Sequence, residues 1–72
     1  MTPKFNMKQV FLLEVKASLI GDYGLSEYNA KNLVSFNNEI KKYAEKAMIE
    51  NVIDYDNVQK VAKHAADLYK KD

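Results

Sequence analysis

The sequence predicts an all-α fold, a small three-helix bundle with a long central helix, read as one helical domain over 1–72 or as part of a larger chain. Three observations lead there. Apolar residues recur at three- and four-residue spacing in three segments. The only two glycines, Gly21 and Gly24, fall together after the first segment, and the only proline, Pro3, precedes all three. The expected helices cover 6–20, 27–50 and 57–70. A chain of 72 residues buries only about 60% of its unfolded surface, a thin margin that a partner or parent chain would widen.

In the first segment Leu12, Val15 and Leu19 share one face, with Phe11, Ala17 and Ile20 widening it and Gly21 placed to cap the end. Leu13, Val15, Ala17 and Leu19 also alternate with Glu14, Lys16 and Ser18, so a strand stays open here. The second helix opens at Ser26, a good N-cap, with Glu27 near the positive end of the helix dipole. Glu27 and Lys31 form an acid-first i,i+4 pair worth about 0.2–0.5 kcal/mol. Leu33, Phe36, Ile40, Tyr43, Ala44 and Ala47 then fall on one face through to Glu50, opposite Lys31, Asn38, Lys42 and Lys46. Asn51 to Asp56 interrupts the period, and Asp56 with Gln59 marks the start of the third helix. Its stripe is Val58, Val61, Ala62, Ala65, Leu68 and Tyr69, facing away from Lys60, Lys63, Asp67, Lys70 and Lys71. The small alanines call for close helix approach or for bulkier contacts from a partner.

Composition narrows the function. The chain has no cysteine, so disulfides, thiolate nucleophiles and cysteine-based metal sites are excluded. Eleven basic residues, all lysine, oppose ten acidic ones for a net charge of +1. The charges are spread evenly, without the basic arm of an autonomous nucleic-acid binder. The longest nearly apolar run, Val10 to Ile20, contains Glu14 and Lys16 and falls short of the roughly 20 residues of a membrane span. No cleavable leader pattern is visible. A cytoplasmic protein without a membrane partner is expected.

No constellation carries catalysis, a cofactor or a metal. His64 stands alone at the flank of an apolar stripe. Asp54, Asp56 and Asn57 lack the glycine and distal glutamate of a calcium loop, and suit turn and cap roles. Ser18, Ser26 and Ser35 have no nucleophile turn around them. Gly24-Leu25-Ser26-Glu27 before Ala30-Lys31-Asn32-Leu33 suits the opening of a recognition helix. The turn over 21–25 is too long for that motif, however, and arginine, the commonest guanine reader, is absent. A DNA-binding regulator is therefore the least favoured reading.

The run Tyr23-Gly24-Leu25-Ser26-Glu27-Tyr28-Asn29-Ala30-Lys31-Asn32-Leu33, continued by Glu39-Ile40-Lys41-Lys42-Tyr43-Ala44-Glu45-Lys46-Ala47, resembles the helical region of the B subunit of aspartyl/glutamyl-tRNA amidotransferase. Members of that family have a similar Tyr-Gly-Leu-Ser-Glu-Tyr-Asp-Ala run. Here Asn29 stands for the usual Asp, Val34 for a frequent Thr, and His64 falls near a common helix-anchoring Trp. The resemblance is strongest over 23–47. It implies a part in protein biosynthesis, with tRNA or a larger amidotransferase assembly as partner. The family's catalytic cradle, which uses ATP and magnesium, is too large for this length. The implied role is thus a noncatalytic scaffold or tRNA-contacting module, with no active-site residue to carry over.

Two functions follow. A tRNA-contacting module would gather Lys31, Lys42 and Lys46, joined by Lys60 or Lys63, into one phosphate-facing patch. A protein-binding or homo-oligomerising module would instead expose apolar contacts among Tyr23, Tyr28, Met48, Ile49, Val52 and Ile53.

Overall fold

Among the described residues the bundle has four helices, not three. The computed structural model describes residues 6–71, so Pro3 lies outside it. Its elements are α1 (Met7–Gly21), α2 (Glu27–Phe36), α3 (Asn38–Glu50) and α4 (Tyr55–Lys71). The all-α class stands, whereas the long central helix expected over 27–50 is two helices divided at Asn37.

Asn37 breaks the helix by serving both sides of it. Its backbone is extended, with φ −78° and ψ 119°, yet its N–H still donates to the Leu33 carbonyl and closes α2. Its side-chain Oδ1 accepts from the Ile40 N–H at 3.1 Å, and its carbonyl accepts from the Lys41 N–H, which opens α3. Asparagine is a strong N-cap and a mediocre interior helix residue, so this local geometry favours stopping and restarting. The apolar spacing from Leu33 through Phe36 to Tyr43 runs across the break and conceals it in the sequence.

The first segment is helical throughout, so the strand alternative falls. Asn6 caps α1 by accepting from the Lys8 N–H at 2.9 Å. Phe11, Val15 and Leu19 are buried at i,i+4 spacing, Leu12 is half-buried, and Leu13 and Ala17 are exposed. Helical periodicity alone separates Val15 from Leu13 in this way. Gly21 is the last residue of α1, and Gly24, at φ +70°, is the glycine whose freedom the turn requires. It releases Leu25 into the core, where the Leu25 N–H donates to the Leu19 carbonyl.

Ser26 caps α2 as expected, accepting from the Asn29 N–H at 3.1 Å. Glu27 reaches across to Lys16 of α1 at 3.4 Å in place of the anticipated Lys31. At the end of α3, Asn51 adopts the left-handed conformation (φ 55°), and both Asn51 and Val52 N–H groups donate to the Ala47 carbonyl. This is a common way for a helix to end without glycine. The next cap is Asp54, whose Oδ1 accepts from the Asp56 N–H at 2.9 Å, so α4 begins two residues before the start expected at 57.

α1 packs against each of the other helices, whereas α2 and α4 scarcely meet. The buried core joins Phe11, Val15 and Leu19 to Ile40 of α3 and to Val58 and Val61 of α4. Alanines 30, 44, 47, 62, 65 and 66 are buried between them. Alanine at these positions brings helix axes together, so the core is thin and sensitive to added volume. No polar or charged residue is buried among the described residues. None of the described helices is long and apolar enough to cross a membrane.

Candidate interaction surface

The helix break at Asn37 decides where the surface is apolar. In one continuous helix Phe36 would align with Ile40 and Tyr43 on the packed face. Ile40 is fully buried and Tyr43 half-buried, but Phe36 is 76% exposed. The chain changes direction immediately after Phe36, and its ring is left at the mouth of a groove between α2 and the last turns of α4.

That groove has a volume of about 350 Å³. Leu33 and Phe36 line it from α2, and Leu68 and Tyr69 from α4. Leu33 also packs on the core, while Leu68 and Tyr69 remain 46% and 41% exposed. Asn29, Asn32 and Asn37 supply the polar lining. Asn29 Nδ2 donates to Tyr69 Oη at 2.6 Å, a side-chain bridge between two helices that otherwise scarcely touch. Among the described residues no charged side chain lines the groove. Apolar area with a few orienting hydrogen-bonding groups is the usual make-up of a recognition surface.

The partner-contact candidates are spread over different places. Tyr23 and Ile53 are half-buried against the core, and Tyr28 is exposed on α2 outside the groove. Met48, Ile49 and Val52 are exposed near the end of α3, with Ile49 the most open. The sequence reading missed the groove because it placed Leu33, Phe36, Leu68 and Tyr69 in the core stripes. The available signal was the Asn37-Asn38-Glu39 run, a cap followed by an acidic first turn.

The five lysine candidates are all exposed, on three helices: Lys31 on α2, Lys42 and Lys46 on α3, and Lys60 and Lys63 on α4. The continuous helix expected to align Lys31 with Lys42 and Lys46 is absent. Lys42 and Lys46 remain neighbours one turn apart. Lys60 lies over the Tyr43 ring, 5.8 Å from its centre, with its ammonium 3.5 Å from the hydroxyl. Beside that pair, Glu39 and His64 share a shallow hollow of about 150 Å³. An acid and a histidine therefore adjoin this lysine. Lys8 pairs with Glu45 across α1 and α3. Among the described residues no group of three or more histidines or acids is placed to hold a metal ion.

Comparison with known proteins adds no assignment: no family model matches this chain, and neither a curated protein nor a solved structure matches it. The functional reading therefore rests on its own surface.

Proposed function

We propose that this chain is a noncatalytic helical protein-interaction module, and the observation that carries the reading is the groove between α2 and α4, lined among the described residues by uncharged side chains, with Phe36 exposed at its mouth. An exposed phenylalanine beside exposed leucine and tyrosine side chains is costly to hydrate. Burying one aromatic ring of this size removes about 150–250 Å² from water. Large aromatics in such settings are the residues on which protein contacts most often depend. The dispersed lysines, one of them engaged with Tyr43, suit a solvated surface. The tRNA-contacting role implied by the family resemblance makes the opposite demand, for a salt-sensitive surface centred on Lys42 and Lys46.

Photo-crosslinking discriminates the two. A benzophenone amino acid placed at position 36 is expected to capture protein, including a second copy of the chain. The adduct should survive nuclease treatment and change little between low and high salt. The reading fails if position 36 yields no protein adduct. It fails equally if the chain instead retains tRNA in a salt-dependent manner that Lys42→Glu with Lys46→Glu abolishes.

A further inference from the structure

We infer that α2 is a hinged lid, which lifts off α1 as a unit about pivots at Gly24 and Asn37 while α1, α3 and α4 stay packed. The movement is a property of the single chain and needs no occupant in the groove.

The helices on either side of α2 are finished by residues outside it. At the end of α1 the Asp22 N–H donates to the Ser18 carbonyl, and Ser18 Oγ donates to Asp22 Oδ2 at 2.9 Å. At the start of α3, Asn37 Oδ1 and the Asn37 carbonyl accept from the Ile40 and Lys41 N–H groups. None of these bonds uses a residue of α2, so α2 can leave without unwinding its neighbours. The pivots have suitable backbones. Gly24 sits at φ +70°, and Asn37 is the single extended residue between two helices, at φ −78° and ψ 119°. A few residues at element ends that absorb a change in φ and ψ are what a hinge consists of.

α2 is also lightly held. Among the described residues the buried core takes only Ala30 from α2 and Leu25 from the turn before it, and every other buried residue lies on α1, α3 or α4. Leu33 and Val34 add partial cover. Among the same residues, the side-chain ties from α2 to other helices lie at the surface. Glu27, its side chain 78% exposed, meets Lys16 at 3.4 Å, and Asn29 meets Tyr69. An exposed ion pair contributes little. Few buried apolar contacts and solvent-exposed polar ones give a segment a low free energy of local opening. With α2 lifted, the other three helices keep Phe11, Val15, Ile40, Val58 and Val61 between them. Lifting uncovers the strip of α1 on which α2 lies and removes one wall of the groove.

The chain has no cysteine, so a single introduced thiol reports on its own position. Ala30→Cys on α2 and Ala44→Cys on α3 each replace a fully buried alanine. In native buffer the thiol at position 30 is expected to react with an aromatic disulfide reagent about 100-fold faster than the thiol at position 44, because it needs only the local opening. Dilute urea should barely change the first rate and steeply raise the second, whose opening exposes the whole core. The added sulfur loosens α2 to some degree, so native-state hydrogen exchange of the unaltered chain is the second measurement. The protected amides of α2 should share one opening with a small urea dependence, while Ile40 and Lys41 stay protected with the rest of α3. Equal labelling at positions 30 and 44 overturns the inference. So does exchange of α2 only through global unfolding, a gradient of rates along α2 as fraying from one end gives, or an opening that carries Ile40 and Lys41 with it.

Discussion

α1 and α2 are both capped helices, yet they use their apolar residues in opposite ways. In α1, Phe11, Val15 and Leu19 are all but fully buried, at 1%, 0% and 0% exposure. In α2 only Ala30 is buried, Leu33 and Val34 are half-buried, and Phe36 stands out into solvent. The difference lies less in spacing than in what surrounds each helix. α1 is central and meets all three others, whereas α2 lies at the edge and scarcely touches α4. A phenylalanine at helical spacing is a core residue only when another element covers it.

The comparison can be broken first on the α1 side. Phe11→Ala removes a ring packed on every side and should cost about 3–5 kcal/mol, a large fraction of the stability of so small a domain. Urea denaturation should show the midpoint collapsing, and a midpoint close to wild type would show that α1 is not the centre of the core. The boundary between α2 and α3 comes next. Asn37→Ala removes the cap on the Ile40 N–H and should cost about 1 kcal/mol. Hydrogen exchange should speed up selectively in the first turn of α3, and unchanged protection there would sever the break from its proposed cause. The smallest effect on folding belongs to Phe36. Phe36→Ser should move the urea midpoint by no more than about 0.5 kcal/mol equivalent, because the ring is exposed in the single chain. A loss comparable with that of Phe11→Ala would erase the contrast between the two helices.

Much of the fold was legible locally. The cap at Ser26, the α1 face through Val15 and Leu19, and the α4 stripe through Val58, Val61, Ala62 and Ala65 are consequences of side-chain chemistry and a 100° step per residue. Other errors were also local but hidden. The break at Asn37 is hidden because Phe36 and Ile40 keep helical spacing across it. Asp56 with Gln59 forms a familiar start motif, whereas the residue that caps α4 is Asp54. The groove was a different kind of omission, since Leu68 and Tyr69 obey the same periodicity as the buried Ala65. Position along α4 separates them: Ala65 is fully buried, whereas Leu68 and Tyr69 on the last turns are about half exposed.

Taken alone, the sequence determined an all-α chain without thiol chemistry, almost neutral, with arginine absent and its apolar residues gathered into helical stripes. Backbone hydrogen bonding and side-chain periodicity act over a few residues, so these properties can be read in order along the chain. Only the tertiary structure decided that the described residues form four helices, that alanines bring α4 against its neighbours, and that Phe36, Leu68 and Tyr69 remain uncovered. Burial depends on which surfaces meet. That is set by packing between residues distant in sequence, and here it left part of the expected core exposed.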